Sequence, residues 1–177
     1  MDANRGETCS AEGCSLRPIF ESTTCWLHQR DRDAYRLLVK QRAEDARDLS
    51  AIHLAGVDFE GITLAGVALP EADFEGASLR GADFSRSLLY AARMVDADLG
   101  RADFSEADLG RIRAQRAYLA GARMVRAGML QARLVRALLD GADLSGADLT
   151  EAFMSGAYMD GARLERTVLD GADLSGA

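Results

Sequence analysis

The chain has 177 residues and a formal net charge of -7, which excludes a generally basic nucleic-acid binder but allows a local basic patch. Its hydrophobic content of 48% is ordinary for one folded unit, and no apolar run approaches the length needed to span a bilayer. The first residues lack the basic flank and apolar core of a signal peptide, so we expect a cytoplasmic protein.

Residues 1–29 are the first predicted element, a small metal-binding module. They contain all three cysteines of the chain and one of its two histidines, namely Cys9, Cys14, Cys25 and His28. An odd number of clustered cysteines favours a metal site over a disulfide framework. The spacing C-x4-C-x10-C-x2-H is similar to that of small zinc knuckles found in front of various bacterial domains, and four such ligands form a closed tetrahedral shell. We therefore expect a structural zinc ion; another thiophilic ion, or reduced thiols beside an unrelated histidine, are the alternatives.

Residues 30–48 are predicted to form one amphipathic helix. Apolar side chains recur along one stripe and charged residues occupy the other faces; the stripe consists of Tyr35, Leu38, Val39, Ala43 and Ala46. We expect this helix to cap the domain that follows it. A helix lying on a membrane surface is the alternative, which the mixed charge and the single aromatic residue disfavour.

Residues 49–177 repeat every five residues. Counting in fives from Leu49 to Leu174, 25 of 26 positions hold Leu, Phe or Met, and the residue two positions earlier is usually Ala. On an α-helix a five-residue step advances about 140° net, which would leave no apolar face. In an extended chain the two residues share a face, but because five is an odd number a straight strand would turn the next pair to the opposite face. The chain must therefore bend once per repeat, and the recurrent Gly and Ser can assist the bend. Such a chain winds around its own core as a solenoid.

The repeats read ADFEG, ADFSR, ADLGR, ADLSG and ADLTE, and they resemble those of the pentapeptide-repeat family over residues 49–177. The resemblance implies an all-β fold, a right-handed four-sided β-helix with about 20 residues per coil. About six coils would stack into a rod on the order of 30 Å long.

Two departures from the repeat refine this prediction. In RIRAQR, Ile112 takes the small position and Ala114 the large one, so the core volume is roughly kept. In the first coil, β-branched residues fill all four small positions, which predicts the capped N-terminal end of the rod; they are Ile52, Val57, Ile62 and Val67.

Catalytic residues are not evident in the repeats. His53 is the only histidine outside the metal module, and we expect it to face outward without a nucleophile beside it. The acids recur because the repeat places Asp before each large residue, so we expect no enzymatic activity.

Arginine is concentrated in the middle of the repeats. Residues 49–177 hold 13 arginines against 19 acids, a net charge of -6, but residues 110–139 hold seven arginines and no acid. With four repeats per coil, Arg93, Arg113 and Arg133 stack on one wall, and Arg116 and Arg136 lie beside them. Such a ladder is either solvated or binds an anion or an acidic partner.

Three functions are compatible with these features. The first is a non-enzymatic scaffold that presents flat walls to a macromolecular partner. The family resemblance implies the second, because some members resemble duplex DNA in size and charge and are thought to bind type II topoisomerases such as DNA gyrase, protecting them from inhibitors. The third is anion or nucleic-acid binding by the arginine band. A continuous negative stripe would favour mimicry, and a positive wall would favour anion binding.

The last coil is predicted to expose apolar side chains and unpaired backbone groups around Leu164, Leu169 and Leu174. Two such ends facing each other would bury both surfaces by a closed two-fold contact. We therefore expect a homodimer through the C-terminal coils, unless residue 177 lies inside a longer repeat tract.

Overall fold

The structure is a computed structural model that describes residues 8–12, 19–20, 22 and 24–177. The predicted metal ligand Cys14 lies outside the described residues. A short 3-10 helix at Trp26–His28 is followed by one α-helix, α1, at Arg32–Ala46. In the described part of the chain, neither helix is long and apolar enough to cross a membrane.

Helix α1 lies within the predicted range 30–48. It begins after Asp31, whose carboxylate accepts the backbone N–H of Ala34 at 2.9 Å, an N-cap that satisfies a free donor of the first turn. Successive turns bury one face of the helix through Tyr35, Val39 and Ala43. The predicted stripe is one turn too long, because Ala46 is exposed.

The repeats form stacked coils joined by isolated parallel β-bridges. Among the described residues, 22 such bridges run from Asp48 to Asp173, and each joins two residues 20 positions apart. The backbone alternates its hydrogen bonds between neighbouring coils: the Leu54 N–H donates to the Asp73 carbonyl at 2.7 Å, and the Asp73 N–H donates to the Ile52 carbonyl at 2.8 Å. This pattern agrees with the predicted four-sided solenoid and gives about six and a half coils.

The bridges define four walls, which we number in chain order by the outward residue that precedes each large inward residue. Wall one runs from Asp48 to Val168, wall two from His53 to Asp173, wall three from Asp58 to Tyr158 and wall four from Thr63 to Arg163. Equivalent residues of successive coils therefore form straight columns along each wall.

Inside the coils, every repeat contributes two inward side chains, and outside the first coil these are one large and one small, as the sequence predicts. Ala72 and Phe74 are fully buried, and the rings of Phe84 and Phe104 stack with centroids 5.2 Å apart. The exchanged pair Ile112 and Ala114 is also buried, and a cavity of only about 10 Å³ remains beside it. The exchange therefore keeps the core nearly filled.

The corners depend on left-handed backbone more than on glycine. The second residue after each large residue has a positive φ in all 26 repeats, and this corner position holds 12 glycines and 14 other residues. The prediction that Gly and Ser assist the bend was incomplete, because the left-handed conformation itself makes the corner.

The two ends of the solenoid differ. At the first coil, the Trp26 ring meets Phe59 edge-on at a centroid distance of 5.5 Å, and Tyr35 packs on the same ring. At the last coil, the large residues are only partly buried, in contrast to those of earlier coils; they are Leu164, Leu169 and Leu174. The N-terminal end is covered, and the last described coil presents apolar side chains.

Replacing Gly141 by Ala should lower the free energy of unfolding by about 1 kcal/mol, because a left-handed residue with a Cβ is strained. Gly141 has a φ of +66° and no atom within 4 Å of the added carbon, so the change tests the backbone alone. Gly128 is the matched control, since its φ is not positive and its Cβ would also meet open space. Urea unfolding should show no loss for Gly128→Ala; equal losses in both variants would contradict this account of the corners.

Candidate functional site

Wall two carries the predicted arginine ladder. Bridges place Arg93 beside Arg113, and Arg113 beside Arg133, in one column. The complete column of outward residues, from the first coil to the last, is His53, Asp73, Arg93, Arg113, Arg133, Phe153 and Asp173.

In the N-terminal half of this column, the basic side chains are paired with acidic ones. His53 Nδ1 lies 3.0 Å from an Asp73 carboxylate oxygen, and Arg93 pairs with Asp73 and Glu75. Burial raises the pKa of Asp73, but hydrogen bonds with His53 and the Glu75 N–H, and the nearby charges, hold that pKa below its usual value. His53 occupies the outward position predicted for it but is only 7% exposed, because the segment at Phe20 crosses it and donates a backbone N–H to its carbonyl.

Arg116, predicted as part of the binding surface, is also neutralised. Two of its nitrogens donate to the two carboxylate oxygens of Asp96 at 2.7 and 2.6 Å. This bidentate pair raises the pKa of Arg116 and lowers that of Asp96. Asp96 lies one coil earlier, so a stretch without acids in the sequence does not produce a surface without acids.

Three arginines of the predicted set have no ion-pair partner among the described residues: Arg113, Arg133 and Arg136. The Arg133 guanidinium lies over the ring of Phe153, 5.7 Å from its centroid, and Phe153 is 45% exposed. We call Arg113, Arg133, Arg136 and Phe153 the arginine surface.

Wall three, the next wall in chain order, carries a column of apolar side chains that the sequence reasoning missed. Tyr118 is 38% exposed and Tyr158 61% exposed, with Leu138 between them in the same column. The Tyr118 ring lies against Gly100, where an added Cβ would come within 2.7 Å of it. We call Tyr118, Leu138 and Tyr158 the tyrosine column. The sequence feature that could have predicted it is the spacing of one coil between these residues.

The aspartates of the repeat stabilise the turns. Most of them accept the backbone N–H two residues later, as Asp143 does from Ser145 and Asp148 from Thr150, both at 3.0 Å. Side-chain hydrogen bonds from Ser145 and Thr150, and then these backbone bonds, lower the pKa of both carboxyls. Asp173 has the same arrangement with Ser175, so these acids have a structural role.

Three of the four predicted metal ligands lie together in the N-terminal module. His28 Nδ1 is 3.4 Å from the sulfurs of both Cys9 and Cys25, and all three ligand atoms lie within 4.8 Å of one another. Burial raises the pKa of Cys9, but hydrogen bonds from the Cys25 and Ala11 backbones, and then from the His28 and Cys25 side chains, lower it to about 6.

The family model for pentapeptide repeats matches this chain in eight copies, over ranges that include residues 48–86, 69–105, 102–141, 129–166 and 137–176. The chain therefore belongs to the pentapeptide-repeat family. No curated protein sequence matches it significantly.

Several solved structures are similar to the chain. A pentapeptide repeat protein from the Arabidopsis thaliana thylakoid lumen is 33% identical, over 55% of this chain and 68% of that one, with a TM-score of 0.44. The plasmid-mediated fluoroquinolone resistance protein QnrB1 is 23% identical, over 73% and 69%, with a TM-score of 0.46. HetL of Nostoc sp. strain PCC 7120, involved in heterocyst differentiation regulation, is 28% identical, over 79% and 77%, with a TM-score of 0.32.

The repeat aspartates predict acid sensitivity. Because the folded pKa values of Asp143, Asp148 and Asp173 are lowered, their stabilisation is complete above the unfolded pKa of about 3.9 and is lost as the pH falls below it. The thermal unfolding temperature should be similar at pH 7 and pH 5 and should fall below about pH 4.

The matched variant replaces all three aspartates by Asn, which keeps a side-chain oxygen to accept the turn hydrogen bond but does not titrate. It should unfold near the wild-type temperature at pH 7 and lose less stability in acid. If this variant lost as much thermal stability at low pH as the wild type, the result would contradict this role of the aspartates.

Proposed function

We propose that this protein is a non-enzymatic interaction scaffold that presents the arginine surface and the tyrosine column to an acidic protein partner. One observation carries the proposal: Arg113 and Arg133, which have no acid partner among the described residues, are neighbours in one column, and Arg133 lies over the exposed ring of Phe153. The coils bring these three residues together from positions 20 apart in the sequence.

The energetics favour an acidic partner. The backbones of Arg113 and Arg133 are about 4.8 Å apart as neighbours in a sheet, so their positive charges repel until an anion lies between them. Carboxylates accept bidentate hydrogen bonds from guanidinium groups, which gives direction as well as attraction. Tyr and Arg are among the side chains that contribute most to binding in protein interfaces, where Phe is also enriched, and a rigid wall loses little entropy when it binds.

DNA mimicry toward a type II topoisomerase is the second candidate. The net charge of -6 over residues 49–177 and the rod shape support it. The columns support it less, because no wall has more than two consecutive outward aspartates; the longest run is Asp83 and Asp103 on wall four. Nucleic-acid binding is the third candidate, which the negative net charge opposes.

Changing Arg113, Arg133 and Arg136 together to Gln should weaken partner binding about tenfold or more without lowering thermal stability, since these side chains have no ion pair to lose among the described residues. Partners would be captured from native extract, and their affinity would be measured with purified components at two salt concentrations. The control changes Arg123, Arg163 and Arg166, two arginines of wall four and one at the corner that follows it, to Gln, which removes the same charge.

Each arm of this experiment separates the candidates. Loss of binding in the first variant and not in the control supports the scaffold. Protection of gyrase supercoiling against a fluoroquinolone that survives in the first variant would instead support mimicry. Tighter binding of duplex DNA than of any captured protein would support the third candidate, and equal binding by both variants would show that the arginine surface is only solvated.

We also propose that the last coil mediates self-association. Leu164, Leu169 and Leu174 are partly exposed, whereas the corresponding residues of the preceding coil are buried. Head-to-tail stacking is opposed by α1 and Trp26, which cover the other end, so a two-fold contact between last coils buries the most apolar surface.

Light scattering on this chain should then give about twice 19.0 kDa. Leu174→Glu should give a monomer, because each Leu left exposed forgoes about 1.5–3 kcal/mol of burial. Val168→Glu, at an outward position of the same coil, should leave the dimer intact. A wild-type monomer at high micromolar concentration would refute this contact.

A further inference from the structure

The N-terminal module contains a second cluster, distant in sequence from the arginine surface. In a tetrahedral zinc site, a sulfur and a nitrogen ligand lie about 3.6 Å apart. His28 Nδ1 lies 3.4 Å from both Cys9 and Cys25 sulfurs, close to that spacing. We propose that Cys9, Cys25 and His28 bind a zinc ion, and that this ion holds the Trp26 turn against the first coil. Metal occupancy then controls closure of the N-terminal end of the β-helix.

The arrangement fits a metal better than a disulfide. A bond between Cys9 and Cys25 would need no third group, yet the imidazole nitrogen is equally close to both sulfurs. Two thiols and one imidazole are the donors that zinc prefers. Both cysteines are buried, and no disulfide joins one to the other.

The ligands are coupled to the solenoid through one turn of chain. Cys25 directly precedes the 3-10 helix Trp26–His28, and the His28 N–H donates to the Cys25 carbonyl at 3.0 Å. Ligation of Cys25 and His28 would therefore fix the turn that carries Trp26. The Trp26 side chain is 6% exposed and lies against Phe59 of the first coil and Tyr35 of α1.

Cys9 extends this coupling to the start of the described chain. It is well separated from Cys25 and His28 in the sequence, so a shared ion would tie two distant parts of the module together. Among the described residues before Cys25, Ile19 is the side chain buried in the main core, and a module with so little apolar surface needs another source of stability. A bound ion supplies it.

The experiment uses the full chain, purified without chelator. Elemental analysis should find one zinc per chain. Trp26 is the only tryptophan, so its fluorescence reports the position of the turn. A chelator should shift the emission to longer wavelength, and Zn²⁺ alone should restore it. Cys25→Ser should lower zinc affinity at least a hundredfold and show the shifted emission before any chelator is added.

Leu27→Ala is the matched control, because Leu27 lies between the two ligands and is 67% exposed. It should keep both the zinc and the Trp26 emission. The thermal unfolding of the coils should persist in Cys25→Ser, which separates loss of the metal from failure to fold.

Three results would overturn the proposal. The first is protein without metal that also fails to bind added Zn²⁺, and the second is a Cys9–Cys25 disulfide found by mass spectrometry. The third is bound zinc whose removal leaves the Trp26 emission unchanged, which would show a metal site that does not control the cap.

Discussion

The closure of each coil after four pentapeptide repeats is the constraint on which the rest of the structure depends. Each wall must place one large and one small side chain inside, and each corner must take a left-handed backbone. The core therefore determines three of every five residues or restricts them strongly. Function has to be carried by what remains, which is the outward residues and the corner side chains.

Because each column joins equivalent residues of successive coils, charges interact between coils and not along the chain. Arg116 meets Asp96, Arg123 meets Asp103 at 3.5 Å and Arg126 meets Glu106 at 3.2 Å, each pair one coil apart. This pairing neutralises three of the seven arginines of residues 110–139. Among those without an acid partner, Arg113 and Arg133 lie in one column and Arg133 lies over the Phe153 ring, which is more specific than the band suggested by the sequence.

The sequence predicts the parts of the structure that the core determines. The register, the inward pairs, the exchange of Ile112 and Ala114 and the Arg93–Arg113–Arg133 column all follow from the five-residue period and the four-repeat coil. Contacts made by other segments could not be predicted in this way. His53 is buried because the Phe20 segment crosses it, and no periodicity describes where that segment lies.

Some missed features had a signal in the sequence. The tyrosine column and the Arg116–Asp96 pair both appear when outward and corner residues are read one coil apart, whereas a count of charge in a continuous window hides them. The grouping of Cys9, Cys25 and His28 was visible from their spacing in the sequence, but its position next to Trp26, which packs on Phe59, was not. That position links the N-terminal module to the solenoid and makes the first coil a closed end.

Arginine footprinting of the protein bound to its captured partner tests the central claim most directly. Modification by an arginine-specific dicarbonyl reagent would be quantified by mass spectrometry with and without the partner. The account predicts protection of Arg113 together with Arg133 and Arg136 of the next coil, while Arg123, Arg163 and Arg166 react as in the free protein. Protection of the second group, or none at any of the six, would contradict it.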